Sequence, residues 1–487
     1  MKTKLFLIAF FALICTVQGA WADVTVTAES DLRTTVQSNH TVTADYKYID
    51  HTWDHSTKKL TAEEKTRTAG NYSLLGNNSG GWTALTNGGW FVVDGNINIG
   101  TLVVHGTSNL ILCNGATLTV TGGVKVEMNA NAVLNIYGQT GDTGRLIVTN
   151  SYKGAAGIGS GGGSNDGNAG IINIHGGTIS ATGNEYGAGI GGGDNHGFGL
   201  QANNSGLYVY GGNVTAQGGE YAAGIGSGDE PGDDVHAGYV AVYGGTVNAI
   251  GGKEGAGIGG GNEGHGAIFS IYGGHVTAQG GELGAGIGGG DEGHSNTTTF
   301  YGGTTVATGG KHGAGIGGGE GGYAAAIEVR GGNIIAKGGG SLSSRGGGGA
   351  GIGGGFEGDC RGIHFYDGTV HATGIDGAAG IGGGKVSDYC ELDISGGNIT
   401  AIGDGSGPGI GRGRTTAGDS SQSSSKKVLI NITGGEVTAS SNNGGAGIGV
   451  GEGTIFNGRI NISGGKVTAT GRNGGAGIGT GATTIDG

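Results

Sequence analysis

Five tyrosines occupy one place in a repeating unit. Tyr210, Tyr243, Tyr272, Tyr301 and Tyr366 each precede a glycine-containing corner. With His175, Arg330, Ser395, Thr433 and Ser463 they form one column, and strand alternation directs that column outward if its neighbours point inward. Exposed rings with hydroxyl tips along a rod suit an extended glycan. Stacked tyrosines also tie neighbouring strands together without any ligand, so a structural role competes with binding.

Carboxylates supply a second candidate chemistry. Asp194, Asp229, Glu230, Glu263, Asp291, Glu292, Glu320, Glu357 and Glu452 follow successive glycine-rich boxes. Oxygen ligands on such turns could bind calcium, best at Asp229, Glu230, Asp233 and Asp234. The nine-residue calcium repeat of β-rolls is present only as a loose echo, which favours solvated loop carboxylates. His51 and His55 would share one face of a helix and could hold a metal. Their segment is polar and has no helical pattern, so a surface loop is expected.

Cysteines offer a third. Cys113, Cys360 and Cys390 remain once a leader holding Cys15 is removed, and the last two lie one repeat apart. They could bridge adjacent coils in an oxidising compartment, or simply be two small buried side chains. Cys-x-x-Cys spacing is absent.

Other patterns dissolve on inspection. Gly187, Gly189 and Gly192 satisfy Gly-x-Gly-x-x-Gly, but no helix follows to hold a pyrophosphate. An outward threonine column (Thr215, Thr277, Thr400, Thr438, Thr468) would suit a flat lattice. Its neighbours His275, Asn333, Glu436 and Lys466 are too mixed for one. Arg330, Lys337 and Arg361 are scattered, whereas a lyase for acidic polysaccharide would concentrate Asp, Lys and Arg on one face.

The elements that position these residues come from a repeat. Gly-Ile-Gly returns eleven times, its isoleucines running from Ile158 through Ile190, Ile225, Ile258 and Ile287 to Ile478. Four of the spacings are 29 residues and the rest are longer, as loops inserted into a constant unit would make them. Between the boxes lies apolar-x-apolar-x-Gly-Gly-x-apolar-x-Ala, with strand alternation on both sides of a glycine corner. Three short strands per unit predict an all-β parallel β-helix (a β-solenoid) with about one coil per 29-residue repeat. Its narrow interior is lined by one alanine column from Ala181 and Ala216 to Ala469. At roughly 4.8 Å per coil, eleven units make a rod of about 50 Å.

Glycine contributes 125 of 487 residues and proline only 2, without a Gly-X-Y period, so collagen is excluded. Hydrophobic residues reach 35% and recur in register, against disorder. Residues 1–22 read as a signal peptide, with Lys2 and Lys4 before an apolar stretch and cleavage near Ala22. The mature chain then carries 23 basic and 38 acidic residues, a net charge of −15, which argues against nucleic acid or anionic membrane as partner. No later apolar run is long enough for a transmembrane segment. Residues 23–90, rich in tryptophan, predict an N-terminal cap. Residues 91–150 predict the first irregular coils, and 151–487 the eleven glycine-rich repeats. No matching cap follows the last box, which suggests a fragment of a longer protein.

The run from Trp90-Phe-Val-Val-Asp-Gly to Ile136-Tyr-Gly-Gln-Thr-Gly, followed by repeated Gly-Gly-x-Val-Thr-Ala and Gly-Ala-Gly-Ile-Gly-Gly-Gly, resembles secreted surface proteins of gut bacteria. That resemblance implies a right-handed β-helix of the pectate-lyase-like type, secreted or cell-surface placement, and adhesion or glycan contact. It carries over no catalytic residue. The expectation is therefore a non-catalytic surface rod, adhesin or spacer, whose partners are host or microbial surface glycans or proteins. The alternative is a carbohydrate-binding module using the tyrosine ladder; a polysaccharide lyase or hydrolase is less favoured. No cofactor is expected, with calcium the one candidate.

Overall fold

The computed structural model describes residues 44–127, 131–163, 167–198, 205–229, 237–340, 347–415 and 427–482, so the signal peptide expected at 1–22 lies outside the described residues. No helix occurs among the described residues. The chain is a parallel β-helix. Each coil contributes one strand to each of three faces, as in Ile268–Ile271, His275–Gln279 and Ile287–Gly288.

Register is maintained from coil to coil. Ile258 pairs with Ile287 and Ile287 with Ile316. Ala249, Ala278 and Ala307 are likewise consecutive partners on the second face. Because neighbours there present the same residue type, the alanine and isoleucine columns are stacks of like side chains, whereas the first face mixes types, Phe269 pairing with Thr298 and Ile271 with Phe300. The alanine column is 0–1% exposed from Ala181 to Ala439. Phe269, Phe300 and Phe365 are among the largest fully buried side chains.

Glycine is required at two corners for different reasons. Gly274 turns the chain between the first and second strands at φ 78°, beyond the reach of most side chains. Gly288, after the lone isoleucine, has φ 138°, and a Cβ there would lie 1.8 Å from the Gly317 oxygen of the next coil. The third face is thus two backbones in direct contact, which is why it is glycine-rich.

Two expectations change. Parallel stacking begins with Ser73–Leu74 against Phe91–Val92, inside the region expected to be a cap. The described part of that cap is an antiparallel hairpin, β1 (Tyr46–Asp54) and β2 (Lys59–Arg67). It runs along the flank of the solenoid. Polar outer positions on both strands had disguised it, and His51 belongs to strand β1 and not to a loop.

One feature costs stability. After several glycine boxes a residue adopts a left-handed conformation, among them Glu263 (φ 55°), Glu292 (55°), Glu357 (64°) and Val386 (70°). For a β-branched side chain this is the most strained choice. Val386→Asn is expected to raise the free energy of unfolding by up to ~1 kcal/mol in chemical denaturation, since asparagine tolerates the left-handed region.

Candidate functional site: an aromatic ridge under a hairpin

The tyrosine column forms as a continuous stack. Ring centroids are 4.9 Å apart for His175–Tyr210, 5.0 Å for Tyr210–Tyr243 and for Tyr243–Tyr272, and 4.6 Å for Tyr272–Tyr301. Ring planes within the tyrosine pairs are tilted by only 4–12°. The faces of the rings are therefore turned toward neighbouring rungs, and what points outward is ring edge and hydroxyl. Arg330 continues the column, its guanidinium 4.4 Å from the Tyr366 ring centroid and its Nε donating to Glu328 at 2.8 Å.

At the other end the stack extends further than the sequence reading reached. Tyr137 lies 4.6 Å from His175, and Trp90 5.4 Å from Tyr137. The signal was available, because Asn135-Ile-Tyr-Gly138 repeats the Ile-Tyr-Gly of residues 271–273.

The expected open platform is not found over its full length. Tyr243 is only 8% exposed, Tyr210 and Tyr272 are half-buried, and Tyr301 and Tyr366 stand free at 42% and 43%. The reason is the hairpin. Trp53 packs against both Tyr243 and Tyr272, with centroids at 5.0 and 5.1 Å. Lys58 Nζ lies 5.8 Å from the rings of both Tyr272 and Tyr301. Burial accordingly raises the hydroxyl pKa of Tyr243 and Tyr210.

Polar contacts fasten the base of the hairpin. The Ile49 N–H donates to the Gly138 oxygen at 3.0 Å, and the His51 N–H to His175 Nδ1 at 3.1 Å. Gln139 Nε2 donates to the Lys47 oxygen and the Tyr46 hydroxyl to Asp94. Arg67 lies over Trp90 at 4.4 Å. His51 and His55 do not converge on a metal: His51 faces His175, and His55 meets the edge of Tyr243.

Of the calcium candidates, Glu230, Asp233 and Asp234 lie outside the described residues. Asp229 is half-buried and accepts from Asn262 Nδ2 at 3.0 Å. Among the described residues no group of three or more His, Cys, Asp or Glu side chains is arranged to hold a metal ion. The neighbouring Asp291 is pushed up to about 6 by burial, then by Glu320, Glu254 and Glu292. A carboxylate raised above its unfolded value contributes stability at acidic pH that is lost as pH rises from about 4 through 6. Asp291→Asn is therefore expected to stabilise the chain at pH 8 by roughly 1 kcal/mol after solvent screening, and to change little at pH 4. Urea denaturation at the two pH values checks this.

Cys360 and Cys390 are in-register partners in adjacent coils, as their spacing anticipates. Both are fully buried and, like Cys113, are free thiols in this structure. Cys360 Sγ donates weakly to the Glu391 oxygen at 3.5 Å. Burial raises the Cys390 pKa.

The family described as Beta helix repeat matches eight segments: 172–194, 207–229, 240–262, 269–291, 366–385, 392–411, 430–449 and 460–482. Each segment contains the glycine corner, the second strand and the Ile-Gly rung of one coil, so the similarity falls on the solenoid. No curated protein and no solved structure matches the chain.

Proposed function

We propose that this chain is a secreted or surface-displayed, non-catalytic rod that serves as an adhesin or structural surface protein. The observation that carries the reading is the evenness of the stack. The same alanine, the same Ile-Gly pair and nearly the same ridge residue recur coil after coil in register. Chemistry distributed this way builds length and a repeating surface, whereas catalysis gathers unlike groups at one place. Counting first-face strands from Ser73 to Gly458 gives fourteen rungs, or a shaft of roughly 60 Å at about 4.8 Å each. The leader at residues 1–22 supports export, and surface glycans or proteins are the partners in view.

Glycan binding is the second reading. The free edges of Tyr301 and Tyr366, with Arg330 between them, favour it. Stacking of each ring on its neighbour works against it, since a sugar needs a ring face.

Beads coated with the mature chain should adhere to immobilised surface glycans or proteins. Adhesion that persists in Tyr301→Ala/Tyr366→Ala supports the rod, and its loss in that variant supports the glycan reading. Release of reducing or unsaturated ends from acidic polysaccharide would contradict the non-catalytic assignment.

A further inference from the structure

His175 joins the hairpin to the solenoid through a lone pair. A backbone N–H can only donate, so the His51 N–H at 3.1 Å requires His175 Nδ1 to be an acceptor and the ring to be neutral. The ring is 8% exposed and sandwiched between Tyr137 of the preceding coil and Tyr210 of the following one. Protonating Nδ1 sets two donors against each other where one bond had been.

Other groups surround this ring. Asp50 of β1 lies with Oδ1 3.4 Å from Nδ1, and Lys65 of β2 holds the same carboxylate at 2.6 Å. Asp50 favours an imidazolium, Lys65 opposes it, and His51 opposes it too. The His51 Nδ1 is itself buried without a hydrogen-bond partner. On the next corner Asp142 is turned to the Gly177 amide. Beyond His51, toward the tip, the hairpin rests on the ridge through the side chains of Trp53, Lys58 and Leu60.

We propose that the hairpin is a proton-operated cover: neutral His175 holds it on the aromatic ridge, and protonation of His175 lifts it, opening Tyr210, Tyr243 and Tyr272 while the coils stay stacked. This goes beyond the rod reading and does not depend on what the ridge then meets. Burial holds His175 down to about 4, against about 6.5 for a solvated imidazole. A depressed histidine leaves the closed form unaffected above about pH 6.5 and weakens it progressively as pH falls from there toward 4. With the ring still between Tyr137 and Tyr210 in the open form, the closed-to-open ratio should drop by up to about thirtyfold between pH 7.5 and pH 5.

Hydrogen exchange of the full mature chain, corrected for intrinsic rates, tests the proposal. A lifted two-stranded hairpin is marginal in water, so its amides lose protection. Protection across residues 46–67 should fall by that factor at pH 5 while the Ile258 and Ile287 amides keep theirs. In His175→Asn, whose side-chain oxygen can still accept but does not titrate in this range, the fall should shrink to what the buried His51, also lowered by burial, contributes. Unchanged hairpin protection in the wild type overturns the proposal, as does simultaneous loss at the rungs or an equal fall in His175→Asn. Should His175→Asn be undocked already at pH 7.5, Asp50→Asn decides. Removing the carboxylate that favours the imidazolium in the closed form should deepen the loss of hairpin protection as pH falls toward 4, and an unchanged or shallower loss overturns the idea.

Discussion

Gly288→Ala is expected to be among the most damaging single-methyl changes in the rod, costing roughly 4 kcal/mol through strain and collision together. At φ 138° the residue sits where side chains are rarely found, and its Cβ would come 1.8 Å from the Gly317 oxygen and 2.8 Å from the Gly317 carbonyl carbon. Both obstacles are backbone, and that backbone is the next rung, so relief means separating two coils. Gly321→Ala is the matched control. It too has positive φ, at 69°, but its nearest neighbour would be 3.8 Å away, so only the backbone strain of ~1 kcal/mol applies. Chemical denaturation of the two variants checks this. Equal costs would mean that conformation alone, and not the contact of coil with coil, explains the glycine.

Trp53→Ala is expected to detach the tip of the hairpin and to leave the solenoid standing. The indole contacts Tyr243 and Tyr272 together, and its Nε1 is buried without a partner, so docking here is apolar and aromatic. Losing it should weaken hairpin docking by roughly 2 kcal/mol. Solenoid stability is a sum over neighbouring coils, so melting of the rungs should barely move. The checks are chemical modification of Tyr243 and amide exchange over residues 46–67. An unchanged Tyr243 would show that the cover is held elsewhere, and a rod that melts with the hairpin would show that the two are one cooperative unit.

Much of this architecture was legible because a stacked repeat writes its contacts into its period. The 29-residue step from Ile258 to Ile287 is also a hydrogen-bonded pairing, and the alanines chosen from the motif lie in the core from Ala181 to Ala439, with Ala469 in the last coil only partly buried. Cys360 and Cys390 were placed side by side by the same reasoning. The hairpin was not legible, because its partners lie far away in sequence and no period connects them. Trp53 meets a tyrosine 190 positions later, and β2 carries Lys59, Glu63, Glu64 and Lys65 among its residues. The tyrosine column was correctly grouped, yet its orientation could not be read. Alternation states that a ring points outward, but not that its face is taken by the next ring or its edge covered by another strand.

Distances between spin labels on the outward threonine column test the stacking most directly. Thr215, Thr277, Thr438 and Thr468 occupy one column through consecutive register partners, with two coils between Thr215 and Thr277, five between Thr277 and Thr438, and eight between Thr215 and Thr468. Labels at cysteines introduced in those pairs should give separations near 10, 24 and 38 Å, counting about 4.8 Å per coil. Separations that fail to grow in proportion to the number of coils, or that spread as broadly as those of a flexible chain, would contradict the stacked rod.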